Sequence, residues 1–178
     1  MKILQLVIFP LWGSGSGTYV RGLSKTLAAN DRHKVAVVAP EKRKIKNVKL
    51  YTVKLPFNAA YTGHPEFKKC KLYHELGGDE FTEIYDAFFK TIIDAVEDFK
   101  PDIIHVHHVS FLTWIAKYIK NVYNINFIVT AHGTGLLSTT QNKQMFQAQT
   151  TEALAQAKRI TAVSNDTRQW VKELHGHD

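Results

Sequence analysis

The chain has 178 residues, 44% of them hydrophobic, a formal charge of +7 and one cysteine, Cys70. That length suits one domain with a core large enough to need no staples, and a lone cysteine excludes an internal disulfide. No stretch approaches the roughly 20 apolar residues of a membrane-spanning helix. The basic charge comes without the zinc-finger, recognition-helix or aromatic-platform pattern of a nucleic-acid reader.

Lys2–Phe9 is a continuous apolar run, as expected of a strand buried on both faces. It is too short for a signal peptide, and Pro10, Leu11 and Trp12 follow instead of a small-residue cleavage site. A loop rich in glycine, Gly13–Gly17, leads to a predicted helix over Gly17–Asn30, with Val20, Leu23, Leu27 and Ala28 at helical spacing. Lys34–Ala39 is a second buried strand closed by Pro40, and Val48–Leu55 alternates like a third. Phe57–Gly78 reads as a long irregular loop holding at most a short helix. Asp79 is the expected N-cap of a long helix whose apolar stripe runs from Phe81 to Phe99, stopped by Pro101. Asp102–His107 is a strand, Phe111–Tyr123 a helix and Phe127–Ala131 a strand. Lys143–Ala157 is a helix, Arg159–Val163 a strand and Asp166–Leu174 a last helix, with Ser164 or Asn165 as its cap. The alternation predicts an α/β fold: a Rossmann-like, doubly wound, mainly parallel sheet.

Ligands of such sheets bind beyond the carboxyl ends of the strands, so the residues there are the candidates. After the first strand stand three glycines and two serines (Gly13, Ser14, Gly15, Ser16, Gly17), opening a helix whose N–H groups can meet a phosphate. A plain flexible connection is the competing reading. The dinucleotide fingerprint fits poorly, since Val20 stands where a third glycine belongs. Glu41 after the second strand suits either a ribose contact or, beside Lys42 and Arg43, an exposed charge run. His105, His107 and His108 crowd one strand end. His105 and His107 share a face, and no further ligand follows at metal spacing, so polar substrate contact or a structural role is favoured over a metal. His132, in Thr130-Ala131-His132-Gly133-Thr134, stands at another strand end, placed to bond a sugar hydroxyl or a phosphate. The basic stretches (Lys42, Arg43, Lys44, Lys46, Lys49 and Lys54; Lys68, Lys69 and Lys71) form either a solvated face or a surface for an anionic membrane or substrate.

Taken in order, these blocks resemble the N-terminal domain of the GT-B, family 4 retaining glycosyltransferases. Ser14–Leu23 matches the family's glycine loop and helix, and His33–Pro40 its second strand. Pro101–His107 matches a Pro-Asp-Ile-Ile-His-x-His block, Thr130–Gly133 a Thr-x-His-Gly turn, and Ala157–Ser164 the last strand. The first glycine of the family's loop is Ser14 here, which is tolerable if that residue avoids positive φ.

The resemblance implies that residues 1–178 are the acceptor-side half of a GT-B enzyme. Its nucleotide-binding C-terminal domain would be absent from this chain, leaving the fragment alone inactive. It implies sugar transfer, with retention, from a nucleotide-diphosphate sugar to a sugar, lipid or other small acceptor. No metal or other cofactor is implied. His132 would lie at the transferred sugar as the catalytic residue. Gly15, Ser16, Gly17, Gly133 and Thr134 would lie along the donor, and His107 and His108 would face the acceptor. Apart from the resemblance, the single thiol suits a reducing compartment, so a cytoplasmic location is expected, with peripheral contact at the inner membrane face as one reading of the basic stretches. An NAD(P)-binding domain of an oxidoreductase and a non-catalytic binding module are the alternatives.

Overall fold

A computed structural model describes residues 1–29, 32–67, 69–134, 136 and 147–177. The elements run β1 (Lys2–Val7), α1 (Gly15–Ala28), β2 (Lys34–Ala39), β3 (Val48–Thr52), β4 (Ala59–Ala60), β5 (Lys71–Leu72), a 3-10 turn at Tyr73–Glu75, and α2 (Gly78–Phe99). They continue with β6 (Ile103–His107), α3 (Leu112–Tyr123), β7 (Phe127–Ala131), α4 (Gln147–Ala155), β8 (Arg159–Ala162) and α5 (Asn165–His175). Six strands form one parallel sheet in the order β3-β2-β1-β6-β7-β8. The chain steps from β1 outward to β3, then returns through α2 to β6 beside β1. That reversal is the topological switch point of a doubly wound sheet.

The strands form because their apolar residues can be covered on both faces. Leu4, Leu6, Ala36, Val38, Ile104, Val106, Val129 and Ala131 point one way into the main core. There they meet Ile84, Phe88, Ile92 and Val96 of α2 and Leu112, Ile115 and Ile119 of α3, residues three or four apart on each helix. On the opposite face a smaller cluster lies against α1, built from Val7, Leu11, Val20, Val37, Ala39 and Ile45. Chain reversals after α2 and α3 use Lys100 (φ 52°) and Asn124 (φ 56°) in the left-handed region.

The predicted strands appear within about three residues of their expected ends, and the differences have local causes. α1 starts at Gly15 rather than Gly17 because Ser14 (φ −138°) caps it, its Oγ accepting from Gly17 N–H at 3.1 Å. Gly15, Ser16 and Gly17 are therefore the first helical turn, and only the residues before them form the loop. α2 is not capped by Asp79. The Glu80 carboxylate accepts from Gly77 N–H at 3.2 Å, and the helix begins at Gly78. The irregular 57–78 region contains a small parallel sheet, β4 with β5, as well as the 3-10 turn. Ser164 caps α5, accepting from Thr167 N–H at 3.1 Å. The expected helix from Lys143 is described from Gln147 onward; residues 143–146 lie outside the described residues.

Candidate active site at the strand ends

Toward the carboxyl ends of β6 and β7 the chain gathers four of its nine histidines, His105, His107, His108 and His132. Along β6, His105 and His107 point to the face opposite the main core, and parallel register sets His105 beside Gln5 and His107 beside Thr130. His132 follows β7 by one residue and continues the same alternation. All four of Gln5, His105, His107 and His132 are buried. Buried polar groups persist only where they are hydrogen-bonded, and here two chains of bonds satisfy them.

In the first chain, Gln5 Nε2 donates to Ser24 Oγ of α1 at 2.7 Å, Gln5 Oε1 meets His107 Nε2 at 2.9 Å, and His107 Nδ1 meets His132 Nε2 at 3.3 Å. In the second, His105 Nε2 meets Thr130 Oγ1 at 2.7 Å, Thr130 Oγ1 meets Thr161 Oγ1 at 2.9 Å, and the Thr161 hydroxyl lies within donating distance of Val129 C=O at 3.3 Å.

The rings also stack on one another. His105 and His107 centroids are 4.1 Å apart, and His108 and His132 are 4.6 Å apart. Tyr19 of α1 lies edge-on to His132 at 5.5 Å and to His107 at 6.0 Å. Burial disfavours an imidazolium throughout this cluster. It brings His132 down to about 4, and burial together with neighbouring His132 brings His105 to about 4. His107 is pushed well below its ordinary value by burial, then by His105, His132 and His108. His108 is lowered in the same way by burial, then by His132 and His64. These rings are neutral at pH 7: hydrogen-bonding groups, not cations.

His108 differs from its neighbours. It is wholly buried with φ 74°, and neither ring nitrogen has a hydrogen-bond partner among the described residues. Its ring lies edge-on to Phe9 at 5.2 Å, and Phe9 in turn stacks on His64 at 5.6 Å.

The turn after β1 is held from several sides. The buried Glu41 carboxylate accepts from Leu11 N–H at 3.2 Å, from Lys42 and Arg43 N–H at 2.8 Å each, and from the Arg43 side chain at 3.0 Å. Burial alone would raise this carboxyl, but the Arg43 side chain and the Arg43 and Lys42 N–H groups outweigh it and hold it below its ordinary value. Glu41 is thus neither an exposed charge nor open to a ribose. Arg21 donates to Leu11 C=O and lies over Trp12 at 4.7 Å, with Arg43 also over that ring at 4.5 Å. A Cβ on Gly17 would stand 2.5 Å from Leu11 O, so α1 can pass this close to the turn only with glycine there. A Cβ on Gly15 would meet nothing within 4 Å. Gly13 takes φ 82° and Ser14 does not take a positive φ.

A family model described as Glycosyltransferase Family 4 matches residues 13–178. The chain belongs to that family. Its match begins at the glycine turn after β1 and takes in the ends of β6 and β7. No curated protein sequence matches the chain.

Among solved structures, sucrose-phosphate synthase from Thermosynechococcus elongatus is similar with a TM-score of 0.69 and 12% identity. UDP-GlcNAc 2-epimerase from Neisseria meningitidis, bound to UDP-GlcNAc, is similar with a TM-score of 0.54 and 16% identity. Each likeness covers 97% of this chain, and 45% and 43% of those chains, so the family 4 chain spans less than half their length. A second structure of the synthase matches with a TM-score of 0.51 and 12% identity over 97% of this chain and 95% of its own. At these identities the likeness is one of fold, and it is the Rossmann-like half of a GT-B arrangement.

Of the residues singled out in the sequence, the family 4 chain brings His107, His108 and His132 together. It sets Gly15, Ser16 and Gly17 on the first turn of α1, and places Gly133 and Thr134 just past His132, half-buried, with Gly133 facing Trp170. Gln5, Ser24, Tyr19 and Thr161 join the site without having been singled out, and Thr130, which opens the Thr-x-His-Gly block, joins it as a bonding partner of His105. The available signal was polarity: Gln5 interrupts an apolar strand, and a polar residue buried mid-sheet must have a partner. Among the described residues no group of three His, Cys, Asp or Glu could hold a metal ion. No described helix is long and apolar enough to cross a membrane. In the basic stretches Arg43 pairs with Glu41 and Glu66, Lys49 with Asp98 and Lys71 with Glu80, while Lys42, Lys44, Lys46 and Lys54 are exposed; Lys68 lies outside the described residues.

Proposed function

We propose that this family 4 chain is the acceptor-side half of a GT-B glycosyltransferase, which moves a sugar from a nucleotide-diphosphate sugar to an acceptor hydroxyl with retention of configuration. The observation that carries the reading is the neutral His107–His132 pair at the strand ends beside the switch point, in a chain whose family match spans residues 13–178. Neutral imidazoles at a strand end suit hydroxyl recognition, and a sugar is a dense array of hydroxyls. His132 would bond the transferred sugar. The N–H groups of Gly15 and Ser16, in the first turn of α1, have no acceptor within the helix and would lie along the diphosphate, whereas that of Gly17 is taken by Ser14. Gly133 and Thr134 would extend that donor wall; His108, wholly buried with both ring nitrogens sealed, would underlie the site without touching the acceptor.

Most of the nucleotide would be held by a second Rossmann-like domain outside residues 1–178, with the two facing each other across a cleft. In that arrangement the groups of this half act by positioning the sugar and stabilising the departing diphosphate. The dinucleotide alternative loses its acidic ribose partner, because the Glu41 carboxylate is already occupied by Leu11, Lys42 and Arg43.

The test is transfer or hydrolysis of UDP-, GDP- and ADP-sugars by a chain that joins this half to its second domain. His132→Ala should lower turnover by about tenfold or more through lost transition-state contacts. Absence of turnover with every donor would overturn the enzyme reading, and unchanged kinetics in His132→Ala would remove that residue from the site.

A further inference from the structure

We infer that Gln5 is a positioning residue: it determines which nitrogen of His132 carries the proton, and so makes His132 a hydrogen-bond acceptor toward a substrate hydroxyl. The inference rests on the reading of His132 as the residue at the transferred sugar.

The logic starts in α1. The Gln5 amide nitrogen donates to Ser24 Oγ at 2.7 Å, and the amide oxygen stands 2.9 Å from His107 Nε2. An amide oxygen can only accept, so His107 Nε2 bears a hydrogen. A neutral imidazole has one N–H, so His107 Nδ1 carries a lone pair. The atom 3.3 Å from that lone pair is His132 Nε2, which must therefore donate. The other nitrogen of His132, Nδ1, is left with a lone pair. It has no hydrogen-bond partner among the described residues, and it is not among their sealed, unpartnered atoms as the nitrogens of His108 are. A hydroxyl approaching Nδ1 would donate to it.

The direction of every bond in the chain is thus decided by one amide that is wholly buried in the central strand. Among the described residues the other rings against these two are His105, His108 and Tyr19, none of which donates to or accepts from His132. Were the Gln5 amide reversed, every hydrogen would run the other way and His132 Nδ1 would be a donor. A site built to accept from a hydroxyl would become one built to donate.

The test is nitrogen-15 NMR of the imidazoles in the protein at neutral pH, with His132 assigned through His132→Gln. Both His107 and His132 should show a protonated Nε2 and an unprotonated Nδ1. A proton on His132 Nδ1 in the wild type would overturn the inference. In Gln5→Glu the new carboxylate should favour a protonated His107, whose Nδ1–H then donates to His132, so that the His132 proton moves to Nδ1. In Gln5→Met, of similar volume but without an acceptor, the His132 signals should move toward the average of the two tautomers. An unchanged His132 spectrum in both variants would also overturn it. If either variant does not fold, the wild-type spectrum alone decides the direction. These spectra need no sugar, so the relay can fail while glycosyl transfer stands, or hold while transfer fails.

Discussion

On one face of β1, β6 and β7 stand Leu4, Leu6, Ile104, Val106, Val129 and Ala131. On the other, one residue out of step, stand Gln5, His105, His107 and Thr130, with His132 just beyond. The backbone is shared and the burial is similar. The first face gains from removing apolar area from water, roughly 25 cal/mol per Å², and is indifferent to protons. The second gains little from burial and stays intact only while each ring is neutral and bonded. Sheet stability and site chemistry are thereby separated by nothing more than the two-residue period of a strand.

The largest expected effect falls on the apolar face. Phe88, wholly buried against the sheet, should cost about 3–5 kcal/mol when replaced by alanine. Thermal unfolding should show the loss equally at about pH 7.5 and about pH 5. A strongly pH-dependent loss would break the separation of the faces.

Acid should act on the polar face. His105 and His132 have folded values of about 4 against an ordinary 6.5, from burial in each case, with His132 adding to it for His105. Between those values the unfolded chain binds more protons than the folded one. Stability therefore rises with pH through this window, is complete above about 6.5, and falls as the pH drops toward about 4. Unfolding curves across this range should show the decline in the wild type and a shallower one in His105→Gln. Parallel curves would mean that the histidines do not carry the acid sensitivity.

The smallest effects contrast two glycines on one helical turn. Gly17→Ala should destabilise by about 1–3 kcal/mol, because its Cβ would stand 2.5 Å from Leu11 O. Gly15→Ala should change stability by less than about 0.5 kcal/mol, since its Cβ meets nothing within 4 Å. Equal effects in chemical denaturation would show that neither glycine is placed by packing.

The sheet was legible in the sequence because its signals are local. Apolar runs of four to eight residues, Pro40 and Pro101, and the stripe of α2 each declare themselves within one window. His107 and His132 were legible as strand-end residues for the same reason. The bonds that join them were not. Gln5 lies 102 residues from His107, and His107 lies 25 from His132, so only the β1–β6–β7 register brings them together. Within Lys2–Phe9, Gln5 passes as one polar exception in an apolar run. The small sheet of Ala59–Ala60 and Lys71–Leu72 was hidden differently, since two residues give no periodicity to detect.

The turn from Leu11 to Gly17 has a consequence in entropy. Its Leu11 N–H is fastened to Glu41, its Leu11 C=O to Arg21, and Gly17 presses against that same carbonyl, while Ser14 locks the start of the helix. Fixing a residue's backbone costs about 1–2 kcal/mol, and here that ordering is completed when the chain folds. A ligand lying along this turn meets amide groups that have already stopped moving, so little of its contact energy is lost to arranging them.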